Sequence, residues 1–309
     1  MNVNTRLVTL LLCCLEGAAI GHCADTQKLV ADSNSREIEA QDDFRRGTNY
    51  CRIRDWDNAI ETLTKAIIAA PEHASAYAYR GTAFFSKGQL DNALNDFSRV
   101  IQLEPTNSNA LFNRASVYRI KSDFRRSLED LAACLRLNPT DDLAYKTRAS
   151  IRNSLAQFNQ AISDCTEGLK INPNDPSALV MRGYSYSMTS RFTNALADYH
   201  QAIRPNPNFE KAHNELAWLL ATCPDVAIRN GKEAVYAATK ACELTNWAKW
   251  ENIDTLAAAY AESGNFEKAV EYEKQAMDMQ SVSGEDRKEM KRHLSMYEHH
   301  EPNHEGKWE

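Results

Sequence analysis

AIIAAP at 66–71, VIQLEP at 100–105, CLRLNP at 134–139 and GLKINP at 168–173 are variants of one segment. Each ends on proline, and with Pro207 the series Pro71, Pro105, Pro139, Pro173 and Pro207 has a spacing of 34 residues. A fixed period of that length marks a repeat architecture, in which a unit buries its apolar side only against a neighbour. Placing proline at position 32 starts the units at Ala40, Ala74, Ser108, Asp142 and Pro176. Position 8 is then always small (Gly47, Gly81, Ala115, Ala149, Gly183), and so is position 20 (Ala59, Ala93, Ser127, Ala161, Ala195). Bulkier side chains hold position 17 (Trp56, Leu90, Phe124, Phe158, Phe192) and position 24 (Leu63, Phe97, Leu131, Cys165, Tyr199). Small residues at 8 and 20 let two antiparallel helices approach, and the larger ones fill the space between units. Proline lacks the amide hydrogen a helix needs, so it ends the second helix.

Two more units follow with altered spacing. In the sixth, 213–222 reads as the first helix and 232–244 as the second, with Ala217 and Ala234 at the small positions. The extra residues between them fall in CPDVAIRNG at 223–231. The seventh contains DTLAAAYAESGNFEKAV at 254–270, with Leu256, Ala257, Tyr260, Gly264, Phe266, Ala269 and Ala276 in register. This pattern resembles the tetratricopeptide repeat (TPR). The resemblance implies an all-α fold, an α-solenoid (right-handed superhelix) of about seven antiparallel helix pairs. Its units are 40–73, 74–107, 108–141, 142–175, 176–209, 210–249 and 250–280. A capping helix over 285–297, with Met290, Leu294 and Tyr297 on its apolar stripe, closes the open end, and 281–309 also carries a loose tail.

The N-terminus is different. Positive Arg6, the apolar run 7–15 and small residues at Gly17, Ala18, Ala19 and Gly21 describe a secretory signal peptide over 1–23. Residues 24–39 are polar and read as a linker. An exported protein, periplasmic or secreted, is the expectation, with a cytoplasmic one as the alternative. Removing the leader leaves Cys51, Cys134, Cys165, Cys223 and Cys242, an odd number without framework spacing. Cys134 and Cys165 fall at positions that pack inward. Cys223 and Cys242 lie roughly 15 Å apart along the returning helix, too far for a disulfide.

Composition narrows the function classes. The 309 residues are 43% hydrophobic and 25% charged, as in a folded soluble protein. A net charge of −6 gives no footprint for nucleic acid, and the nine-residue apolar run is too short to span a membrane. Glycine is scarce at 11 residues, and no GxSxG, HExxH, phosphate loop or GxGxxG motif occurs. No enzyme activity, metal site or cofactor is expected. His299, His300 and His304 read as a solvated tail. The oligomeric state is open, with a monomer as the working assumption.

Position 7 is Arg46, Arg80, Arg114, Arg148 and Arg182, and position 23 is Asp96, Asp130, Asp164 and Asp198. The joint occurrence predicts Arg–Asp pairs; a basic row facing a ligand is the alternative. The resemblance further implies that positions 2, 5, 6, 9, 12 and 13 of each first helix line a concave, peptide-binding face. They include Phe44, Arg45, Tyr79, Phe85, Phe112, Asn113, Arg119, Lys146, Asn153, Tyr184, Lys211, Asn214 and Trp218. Aromatic anchors beside amide and guanidinium donors suit an extended peptide. Some family members clamp a C-terminal carboxylate there. The matching positions read Lys146, Ser150, Met181, Lys211 and Glu215, and only the two lysines fit. The expectation is therefore a scaffold for a protein or peptide ligand. The alternative is an accessory or regulatory subunit presenting a partner enzyme.

Overall fold

The computed structural model describes residues 20–304, with side chains from 35 onward. Of the expected leader, everything before Ile20 lies outside the described residues. Among those described there are 15 helices and no strand. They divide into two compact units, 1–137 and 138–309.

The first unit holds α1 (Ile20–Arg52), α2 (Trp56–Ala69), α3 (Ala74–Ser86), α4 (Leu90–Leu103), α5 (Ser108–Ile120) and α6 (Phe124–Leu137). The second holds α7 (Asp142–Ser154), α8 (Phe158–Ile171), α9 (Pro176–Ser187), α10 (Phe192–Ile203) and α11 (Glu210–Thr222). It continues with α12 (Gly231–Leu244), α13 (Trp250–Glu262), α14 (Phe266–Met277) and α15 (Gly284–Glu298). Within each unit, consecutive helices pack as pairs and each pair packs on the next.

The repeat register explains where helices start, stop and touch. Position 34 caps the following first helix: His73, Asn107, Asp141 and Asp175 each accept a hydrogen bond from a backbone N–H of the first turn. Helices α2, α4, α6 and α8 end two residues before their proline, and α10 ends at Ile203 because Pro205 comes before Pro207. Position 15 turns the chain in a left-handed conformation at Arg54, Gly88, Ser122, Ala156 and Ser190, although only one of these is glycine. The small position 8 is a contact requirement. A Cβ on Gly183 would stand 2.6 Å from Tyr199 Cε1, and one on Gly81 would stand 2.9 Å from Phe97 Cε1. A Cβ on Gly47 would likewise meet Leu63 Cγ at 2.5 Å, whereas the third and fourth repeats accommodate a buried methyl group at Ala115 and Ala149.

Two expectations are corrected. The stretch 24–39 is helical, because α1 begins at Ile20 and runs through it. No proline or glycine interrupts 22–46, and polarity alone does not break a helix. Nor is the whole tail loose. Asn303 is buried, and His304 Nε2 lies 2.5 Å from Glu262 Oε2, so 299–304 folds back onto α13 and α15.

The insertion in the sixth helix pair is also pinned. Arg229 donates to Cys223 O and to Glu262 Oε1, the Asn230 amide donates to Leu220 O, and Ile228 enters the core. Cys51, Cys134, Cys165, Cys223 and Cys242 are free thiols. Burial pushes Cys165 and Cys242 up to about 12, which makes both poor nucleophiles.

Candidate partner-binding face

The Arg–Asp pairs form within single repeats. Arg80 Nε and Nη2 each donate to Asp96 at 2.8 Å, and Arg114 does the same to Asp130. Arg182 reaches Asp198 at 2.8 and 2.7 Å. These are two-pronged, charge-assisted contacts between the two helices of a pair. The remaining Nη1 reaches back to a hydroxyl on the preceding second helix: Thr64 for Arg80, Ser98 for Arg114 and Thr166 for Arg182. Asp164 is shared by Arg148 at 2.5 Å and Arg152 at 2.7 Å. Arg46 departs from the pattern. Position 23 of its repeat is Thr62, and Arg46 lies exposed beside Asp43. From the second repeat to the fifth, the guanidinium row is thus turned inward onto carboxylates. Burial raises the Asp96 carboxyl despite Arg80, so desolvation offsets much of the attraction.

The first-helix face divides into occupied and open side chains. Lys146 Nζ lies 2.5 Å from Asp175 Oδ2, the cap of α9. Asn153 accepts from Ser185 Oγ at 2.7 Å and donates to Met181 O at 3.4 Å, so it ties α7 to α9. Both serve packing between repeats. Phe44 lies against His73 at 4.4 Å and Tyr79 at 5.8 Å between ring centroids. Trp218 is half-buried, its ring 6.3 Å from that of His293 on α15. Phe85, Phe112, Asn113 and Asn214 are half-buried, and Asn214 Oδ1 has no hydrogen-bond partner. Arg119 and Lys211 are exposed; Arg45 is exposed beside Asp42. Tyr79 at 43% and Tyr184 at 37% are exposed aromatics.

Comparison with known proteins agrees with this geometry. A family profile described as TPR repeat matches 81–119, and one described as Tetratricopeptide repeat matches 108–141. The chain is a tetratricopeptide-repeat protein. No curated protein matches it. Solved structures resemble it at low identity. A tetratricopeptide repeat protein from Parabacteroides merdae has a TM-score of 0.58 at 18% identity, covering 84% of this chain and 99% of that one. The C-terminal part of a TPR repeat-containing protein from Cytophaga hutchinsonii has a TM-score of 0.61 at 16% identity, covering 79% and 97%. PilW, described as a type IV pilus biogenesis factor, has a TM-score of 0.60 at 16% identity, covering 70% and 98%. At such identities the likeness shows the fold alone.

This TPR protein has features the repeat register did not single out. Leu143, at position 2 of its unit, is 50% exposed on the first turn of α7, an aliphatic side chain outside the aromatic and polar pattern. His293 is buried on the capping helix, one residue off the stripe of Met290, Leu294 and Tyr297. Its partners, Asp254 and Glu273, come from two other helices, so helical spacing could not reveal it.

Proposed function

We propose that this TPR protein is a non-catalytic scaffold that binds protein or peptide segments on the first-helix face of each of its compact units. The observation that carries the reading is the exposure of Tyr79 and Tyr184 at positions 6 and 9, where the family binds its ligands. Neighbouring position-7 arginines are consumed by internal pairs, so affinity would come from aromatic area, from Leu143 and from the exposed cations Arg119 and Lys211. Lys146 and Asn153 are left out of the binding set because other repeats already engage them.

Photocrosslinking tests this face. A benzophenone amino acid placed at Tyr79 or Tyr184 should yield a discrete crosslinked partner in the native host. The same probe at Ile68 or Tyr236, exposed on second helices α2 and α12, should not. Equal yields from all four positions would refute the assignment. The apolar leader supports an exported protein, and the mass of the mature chain from its native host checks this: cleavage before about residue 24 is expected, and an intact N-terminus argues for the cytoplasm.

A further inference from the structure

The last helix pair and the capping helix bury three acid–base side chains that the partner-binding face does not use. Asp254 on α13, Glu273 on α14 and His293 on α15 are 7%, 0% and 2% exposed. One ligand atom from each lies within 4.8 Å of the other two. His293 Nδ1 stands 3.4 Å from Asp254 Oδ1 and 3.8 Å from Glu273 Oε1. Unless a proton bridges it to the Asp254 carboxyl, neither oxygen of Glu273 has a hydrogen-bond partner, and the buried Tyr297 hydroxyl has none either. Asp254 has the His293 Nδ1 edge as a hydrogen-bond partner, whereas Glu273, beside a second carboxyl group and cut off from water, has no donor to offset its desolvation.

We propose that Asp254, Glu273 and His293 bind one divalent transition-metal ion of the Zn2+ type, which clasps the capping helix onto the last helix pair. The charges balance, since two carboxylates and a neutral imidazole meet a doubly charged ion. The distances are suitable too. A tetrahedral ion with bonds of about 2.0–2.2 Å holds its donors roughly 3.4 Å apart, and His293 Nδ1 already stands 3.4 Å from Asp254 and 3.8 Å from Glu273. A nitrogen donor beside two carboxylates favours Zn2+, Co2+, Fe2+ or Mn2+ over Ca2+ and Mg2+, which take oxygen shells.

The surroundings fit a ligand histidine. The buried Asn303 Nδ2 lies 3.1 Å from His293 Nε2, on the ring edge away from the carboxylates, where it donates to the ring; binding an ion at Nδ1 requires this amide to flip. With its oxygen turned inward, that amide accepts the Nε2–H of a metal-bound imidazole and holds the ring. A crevice of about 10 Å³, lined by Trp250, Asp254, Asp286, Glu289, Met290 and His293, reaches the site. It has room for about one water as a fourth ligand, and Asp286 and Glu289 attract cations toward it. The competing arrangement is a proton shared between Asp254 and Glu273, with no ion at all.

Calorimetric titration of the full chain, after treatment with a chelator, separates the two. Zn2+ should bind at one ion per chain, and Co2+ should develop the visible absorption of a tetrahedral site. The melting temperature should rise by about 5 °C at a hundredfold excess over Kd. Glu273→Gln keeps the side-chain shape and should weaken binding about a hundredfold or more, as should His293→Gln. The double variant His299→Ala, His300→Ala removes exposed tail imidazoles and should bind Zn2+ like the parent. Failure to take up one ion overturns the proposal in favour of the shared proton. Undiminished uptake by a folded Glu273→Gln chain, or loss of uptake in the tail variant, overturns it as well.

Discussion

Repeats two to five and the last two helix pairs put different chemistry in the same place. In the former, position 7 is arginine and position 23 aspartate, joined at 2.5–2.8 Å. In the latter, position 7 is Leu216 or Leu256, both buried, and position 23 is Ala237 or Tyr272. The apolar version belongs to a broad core that runs from Leu169 to Tyr297. The buried clusters around α2 to α5 are small by comparison. The contact between two helices of a pair therefore tolerates either an ion pair or a hydrophobic one, provided both partners change together. The last pairs also hold charge away from water, as an ion pair between Arg229 and Glu262 and as the two carboxyl groups of Asp254 and Glu273 beside His293.

The largest effect should come from breaking one ion pair on one side. Asp164→Ala strands both Arg148 and Arg152 and should cost about 3 kcal/mol in denaturant unfolding. If the loss is under about 1 kcal/mol, water already screens these pairs and the comparison loses its meaning.

A smaller effect should appear at the other end of the molecule. Burial first, and then the charge of Asp254, holds the Glu273 carboxyl well above its ordinary value of 4.5. With no ion bound, the folded state thus keeps a proton that the unfolded chain releases once the pH exceeds 4.5. The stability that Glu273 contributes is fully present below that pH and is lost as pH rises. In chelator, the parent should lose on the order of 1 kcal/mol per pH unit relative to Glu273→Gln between pH 6 and 8. Parallel stability curves would show that the proton is not held.

The smallest effect tests the interchange directly. Arg182→Leu combined with Asp198→Ala copies the terminal solution into the fifth repeat. The hydroxyl of Thr166 remains satisfied by Ile162 O. Thermal unfolding should change by less than about 1 kcal/mol, because the attraction lost is matched by desolvation no longer incurred. A loss as large as that of Asp164→Ala would mean that the ion pair, and not mere complementarity, holds the repeat.

Much of this molecule was open to reading along the chain. In-phase prolines, small residues at positions 8 and 20, and the Arg–Asp coincidence are local regularities, and each repeat restates them. The pairs lie 16 residues apart across a single turn, so a period of 34 brought them together on paper as it does in space. The helical stretch 24–39 was missed because a polar helix without a stripe looks like a linker. The register places Lys146 and Asn153 on the ligand face, but a register position does not reveal whether a neighbour such as Asp175 or Ser185 will claim the side chain first.

What the chain determined by itself was the succession of helix pairs, since backbone breaks and close approaches are written at fixed intervals. Only the tertiary structure decided which side chains of those faces stay exposed. It also decided that Asp254, Glu273, His293 and Asn303 converge. They come from three helices and a returning tail at no common period, and they meet because packing the cap onto the last pair leaves them nowhere else to go.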